Sequence, residues 1–152
     1  MTSKKYLICL WIIVGAFLVS EKFGYAYNIT DSLPHKHFLI IKNAQIKQGS
    51  YILFSAPKSS QYEGLNLIKK VVGKSGAQIN VVERDVYVDG MFVGQAKSHS
   101  KSGAKLAITI NKIIPKNQFF VANTHIDSYD SRYLDFGLID EKDIIGVAFA
   151  IW

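Results

Sequence analysis

The sequence predicts a mainly β domain of antiparallel strands behind one amino-terminal transmembrane helix. Three observations carry this. A single long apolar run, Tyr6 to Ser20, opens the chain. From Phe38 onward, apolar residues come in short β-branched and aromatic clusters separated by polar turns. After residue 30, no window of helical length keeps a 3.6-residue apolar period.

The first segment, YLICLWIIVGAFLVS, follows Lys4 and Lys5 and ends before Glu21 and Lys22. As a helix its 15 residues reach about 22 Å, short of the ~30 Å hydrocarbon core of a bilayer. It crosses if Lys5 and Lys22 snorkel and the bilayer thins, and the basic start sets the amino terminus in the cytoplasm. A retained anchor is the favoured reading. The other is a signal peptide cut after Ala26, where Gly24 and Ala26 supply the small pair such a site needs. Either way residues 1–26 form the membrane segment, and residues 27–152 form an exported domain on the extracytoplasmic side of the membrane.

In the exported part the expected strands are Phe38–Ile41, Tyr51–Phe54, Leu67–Val72, Ile79–Val82, Val86–Val88, Met91–Val93, Leu106–Ile110, Phe119–Ala122 and Ile144–Trp152. Asp89-Gly90 joins VYV to MFV, a dipeptide suited to the type I′ hairpin because both central residues need positive φ. Lys97 to Lys105, KSHSKSGAK, reads as a solvated connection, with contact to lipid head groups as the other reading. There is no repeat and no dividing linker.

At 152 residues, 49% of them hydrophobic and 20% charged, the chain has the composition of one folding domain plus a membrane segment. The net charge of +6 is spread along the sequence. Without a helix-turn-helix or an aromatic RNA-binding motif, it does not point to nucleic acid. Cys9 is the only cysteine, so an internal disulfide and a cysteine-type zinc site are excluded.

Three polar clusters exceed what turns require: Asn28 to Pro34, the pair Lys69-Lys70 inside an apolar run, and Asp127 to Tyr133. On a strand, Leu67, Lys69 and Val71 share one face while Ile68, Lys70 and Val72 share the other. If one face is covered, one lysine is buried. At its ordinary pKa a lysine is neutral about once in 2,500 at pH 7, and burial lowers that pKa by several units. An edge strand with both lysines in solvent also fits the spacing. A serine hydroxyl needs a base, and the candidates are histidine, carboxylate or a desolvated lysine. His35 and His37 share a strand face and suit a metal, but no third ligand lies near them in sequence. Ser32, His125 and Asp130 supply the groups of a triad, in unconstrained geometry. Serine with lysine is the remaining combination.

Together the clusters resemble the type I signal peptidases, and most closely the conjugative-transfer, TraF-type branch. YNITDSLP, Tyr27 to Pro34, is similar to that branch's asparagine-x-threonine-x-serine-x-proline box. LIKKVVGKSG, Leu67 to Gly76, is similar to its lysine box, and SYDSRY, Ser128 to Tyr133, to its third box. Similarity continues through GSYILF, VYVDG and IIGVAFA. Departures lie at Lys36, where glycine is common, at Gly76-Ala77 in place of glycine-aspartate, and at Ala122-Asn123-Thr124 in place of glycine-aspartate-asparagine.

The resemblance implies a mostly antiparallel β fold and a serine endopeptidase working without histidine, metal or other cofactor. It makes Ser32 the nucleophile, Lys69 the general base, and the Thr30 hydroxyl with the Ser32 N–H the oxyanion donors. Ser128 would orient the lysine, and Asp130 with Arg132 would form a supporting ion pair. The implied partners are the lipid bilayer and a membrane-tethered, pilin-like precursor whose leader is removed at the inner membrane of a bacterium. At most about 40 Å of chain separates Ser20 from Ser32, which keeps the serine near the membrane face. The other readings are a general secretory signal peptidase, and an inactive homologue that serves pilus assembly by binding.

Overall fold

A computed structural model describes residues 21–151, together with Tyr6 and Trp11. The expected membrane helix, Tyr6 to Ser20, lies outside these residues apart from those two positions. Among the described residues, no helix is long and apolar enough to cross a membrane.

The described chain is mainly β and antiparallel throughout. Its strands are β1 (Phe23–Tyr27), β2 (His37–Ile41), β3 (Tyr51–Ser55), β4 (Asn66–Gly73), β5 (Gln78–Val82), β6 (Asp85–Val88), β7 (Met91–Gln95), β8 (Lys112–Ile113), β9 (Gln118–Ala122), β10 (Ile139–Asp140) and β11 (Ile144–Ala150). A single 3₁₀ turn, Glu141–Asp143, precedes β11. Seven strands form one sheet in the order β1-β2-β11-β3-β4-β9-β10, and four form a second in the order β7-β6-β5-β8. The last strand therefore lies between β2 and β3.

Most expected strands occur within a residue or two of their predicted bounds. The Asp89-Gly90 turn has φ of +49° and +75°, the positive pair that a type I′ hairpin demands, and it sets Val88 opposite Met91. Strand β1 was not expected. FGYAY alternates exposed aromatics with half-buried Gly24 and Ala26, pairs fully with β2, and runs across the boundary at residue 26. The expected strand Leu106–Ile110 is absent. Its backbone instead follows the third box: Thr109 N–H donates to Arg132 C=O, Leu134 N–H donates to Ala107 C=O, and a lone bridge pairs Ile108 with Tyr133. With those groups spent on a loop, no ladder forms until Lys112–Ile113.

Three apolar clusters hold the layers. Ile52, Phe54, Val71 and Val121 of the large sheet pack against Tyr129, Tyr133 and Phe136. Ile79, Val86 and Val88 of the small sheet meet Ile114, Phe120 and Ala122. Leu33, Phe38, Ile40 and Ala148 form the third cluster, which fastens the loop after β1 to the sheet. Burying a side chain of that size stabilises by about 1.5–3 kcal/mol, so Leu33 anchors the residue before it.

Gly94, in the bulged strand β7, has φ of +147°, and a Cβ there would lie 2.8 Å from Arg132 Nη1. That contact is one no real Cβ makes. Gly94→Ala is therefore expected to lose about 2–4 kcal/mol of stability, from backbone strain plus displacement of a buried guanidinium. Thermal unfolding measures it; a melting temperature equal to the parent's would show that Arg132 moves aside freely.

Candidate active site

Strand β4 decides which lysine is buried. It is flanked by β3 and β9, so it is not an edge, and its pairing sets Lys69 opposite Ile52 and Lys70 opposite Tyr51. Alternation then leaves Lys70 exposed and Lys69 only 6% exposed. Burial lowers the Lys69 pKa to about 8; the Asp130 carboxylate opposes the shift and the Arg132 guanidinium adds to it. The Lys69 amine donates to Ser128 Oγ at 2.7 Å.

Ser32 stands in the loop between β1 and β2. Asn28 closes that loop: its Nδ2 donates to Thr30 C=O (3.0 Å) and His35 C=O (3.2 Å), and its Oδ1 accepts from Thr30 N–H (3.1 Å) and Thr30 Oγ1 (2.9 Å). Lys36, at the position where glycine was expected, braces the loop from outside through Thr30 C=O and Asp31. Thr30 Oγ1 also lies 2.8 Å from Ser32 Oγ. A threonine hydroxyl has one proton, and an amide oxygen only accepts, so the Thr30 proton is on the Asn28 side and Ser32 donates to Thr30. In this resting arrangement the Thr30 proton is engaged by Asn28. Among the described residues, the Ser32 N–H has no acceptor.

Ser32, Lys69 and Ser128 all line one groove of ≈ 730 Å³, whose apolar walls include Leu53, Leu67 and Tyr129. Among the described residues, no direct hydrogen bond joins Lys69 Nζ to Ser32 Oγ. Asp130 and Arg132 are buried beside the groove, 0% and 1% exposed, in a two-point pair at 2.8 Å and 2.9 Å.

That pair removes the triad built on His125. Asp130 is spent on Arg132, His125 Nδ1 accepts from Asp127 N–H, and among the described residues no hydrogen bond joins the imidazole to Ser32 or Asp130. The histidine pair is held by aromatic groups: Tyr25 Oη lies 2.6 Å from His37 Nδ1, and His35 meets the Phe38 ring edge-on. The Lys97–Lys105 connection is less free than its composition suggested. Both Lys97 and Lys101 pair with Asp127, which lowers that carboxyl to about 2, and Lys101 reaches the groove.

Asn123 is the site residue that sequence reasoning passed over. It is 3% exposed, and its Nδ2 lies 3.4 Å from Ser32 Oγ. The only sequence signal was its place at a departure from the third box.

The profile of the family described as "Signal peptidase, peptidase S26" matches residues 3–152. The chain belongs to this family. Over 93 residues, this S26-family chain is 36% identical to signal peptidase I V of Bacillus subtilis (strain 168), covering 53% of the chain and 54% of the relative. It thus spans about half the length of that relative. A crystal structure of a signal peptidase I from Enterococcus faecalis V583 is similar with a TM-score of 0.46 and 19% identity, covering 68% of this chain and 97% of that one.

Proposed function

We propose that the protein is a membrane-anchored serine endopeptidase that removes leader peptides from membrane-tethered precursors on the extracytoplasmic side, with Ser32 as nucleophile and Lys69 as general base. The observation that carries this reading is an amine buried in the same groove as a serine, with its pKa brought down to about 8. At that value roughly one amine in ten is neutral at pH 7, against about one in 3,000 at the ordinary 10.5.

The chemistry follows from these groups. As the Ser32 hydroxyl turns from Thr30 to Lys69, the amine takes its proton and Oγ attacks the scissile carbonyl. The Ser32 N–H stabilises the resulting oxyanion, joined by Thr30 once its hydroxyl turns from Asn28. Lys69 then gives the proton to the leaving amine, and water hydrolyses the acyl-enzyme. Ser128 holds the amine between these steps, and the Asp130–Arg132 pair fixes the segment bearing Ser128. No step calls for a metal.

The box Asn28 to Pro34 supports a pilin-type precursor of a conjugation apparatus as substrate. The Bacillus relative, a signal peptidase I by name, favours a second reading as a general secretory signal peptidase. The test is cleavage of each precursor by the full chain in liposomes, with the new amino terminus mapped by mass spectrometry. Cleavage is expected to rise about tenfold per pH unit up to pH 8 and then level, because the neutral amine is the active form. It is expected to vanish in Ser32→Ala. Chelator-sensitive cleavage, or cleavage by Ser32→Ala, would sink the proposal; preference for the secretory precursor would select the second reading.

A further inference from the structure

We propose that Asn123 is a positioning residue for the nucleophile: its side-chain NH₂ holds Ser32 Oγ in place while the hydroxyl proton turns from Thr30 to the Lys69 amine. The inference rests on the Ser32/Lys69 reading above and adds a group that reading does not use.

The orientation of the Asn123 amide follows from its neighbours. Its Oδ1 accepts from Lys70 N–H at 3.2 Å, and its backbone N–H donates to Asp130 Oδ2 at 3.2 Å. Turning the amide over would set NH₂ against N–H, so Nδ2 is the atom that faces Ser32 Oγ (3.4 Å) and Ile68 C=O (3.5 Å). The side chain thus spans from β4 to the serine loop. It is also itself buried.

The resting hydrogen bonds show why such a group is useful. With the Thr30 proton engaged by Asn28, the Ser32 proton points at Thr30, away from its base. Reaction requires that O–H to rotate. Its proton then passes to Lys69 Nζ as the Oγ–carbon bond forms, so one O–H bond breaks and one N–H bond forms. During the rotation Oγ loses Thr30 as a partner. Asn123 binds a lone pair and not the proton, so its contact survives the turn. The contact to Ser32 Oγ is long at rest, 3.4 Å, and shortens as negative charge gathers on that oxygen, since donors bind charged oxygens more closely than neutral ones.

Asn123→Asp separates this role from a structural one through the pH profile, because it keeps the oxygen that accepts from Lys70 N–H and replaces the donor to Ser32 by a charged acceptor. In the full chain with a leader-bearing precursor, kcat is expected to fall about 100-fold with KM within about twofold, and the melting temperature falls as well because a carboxylate is buried beside Asp130. The acid limb of the rate profile should also move to higher pH. A new carboxylate would add to Asp130, and oppose Arg132, in favouring the Lys69 ammonium. Asn123→Ala should lose about tenfold in kcat with the limb unmoved. Parental kcat in both variants, with Ser32→Ala inactive, would overturn this inference alone. So would losses that track melting with an unmoved limb in Asn123→Asp. Failure of the parent chain to cleave, or activity of Ser32→Ala, would instead remove the reading on which it rests.

Discussion

Lys69→Met is expected to abolish precursor cleavage, by about 10,000-fold or more, and to leave the domain more stable than the parent at neutral pH. The two effects share one cause. The folded pKa is about 8 against 10.5 for the free side chain, a gap of about 3 kcal/mol at roughly 1.4 kcal/mol per unit. Below pH 8 both folded and unfolded chains carry the ammonium, and the whole cost of burying it is present. Between pH 8 and 10.5 the unfolded chain still holds a proton that the folded chain has shed, so parental stability rises with pH. Above 10.5 the cost is gone. Methionine is of similar length and carries no charge, and the lost bond to Ser128 returns only about 1 kcal/mol. The variant's advantage should therefore be greatest at or below neutrality and shrink towards pH 10.5. Lys70→Ala, which removes the exposed amine, should retain cleavage. Parallel stability curves for parent and Lys69→Met across that range would mean the amine is not desolvated.

Asp130→Ala should be the most damaging single change to the fold. Asp130 accepts from Arg132 N–H, Nε and Nη2 and from Asn123 N–H. Removing it leaves a guanidinium that is 1% exposed with no counter-charge, a loss of about 3–5 kcal/mol. For a domain of this size that is a drop of about 10 °C or more in melting temperature. Adding Arg132→Met should restore much of the loss, because the orphaned charge does more harm than the missing pair. If the double variant melts no higher than Asp130→Ala, the pair acts through Asp130's backbone contacts instead. Cleavage should fail in both, since Asn123 and Ser128 lose their support.

Much of the fold was legible because its strands are short, β-branched and bounded by turn residues. The Asp89-Gly90 hairpin is clearest, since two positive φ values leave few alternatives. Strand β1 was hidden by its position, directly after an apolar run that absorbs Phe23 to Ala26 into a membrane segment. Leu106–Ile110 has the composition of a strand, but its backbone partners lie in the loop around Arg132, and such pairing leaves no trace in local pattern. At the site, alternation showed that Lys69 and Lys70 face opposite ways. Which of them is dry is decided by the segment around Ser128 and Tyr129, which covers the face that Lys69 shares with Ile52 and Val71. The proton held by Asn28, and the amide of Asn123 turned towards Ser32, depend on contacts across 91 residues of sequence in the latter case, and composition cannot show them.

Strand β11 stands between β2, which borders the serine loop, and β3, which leads to the lysine strand. Serine and lysine are thus held in one sheet by a piece of chain that leaves the ribosome after both. Until that strand is made, β2 has no partner in the sheet on the side that faces β3. Closure of the large sheet waits on this late strand.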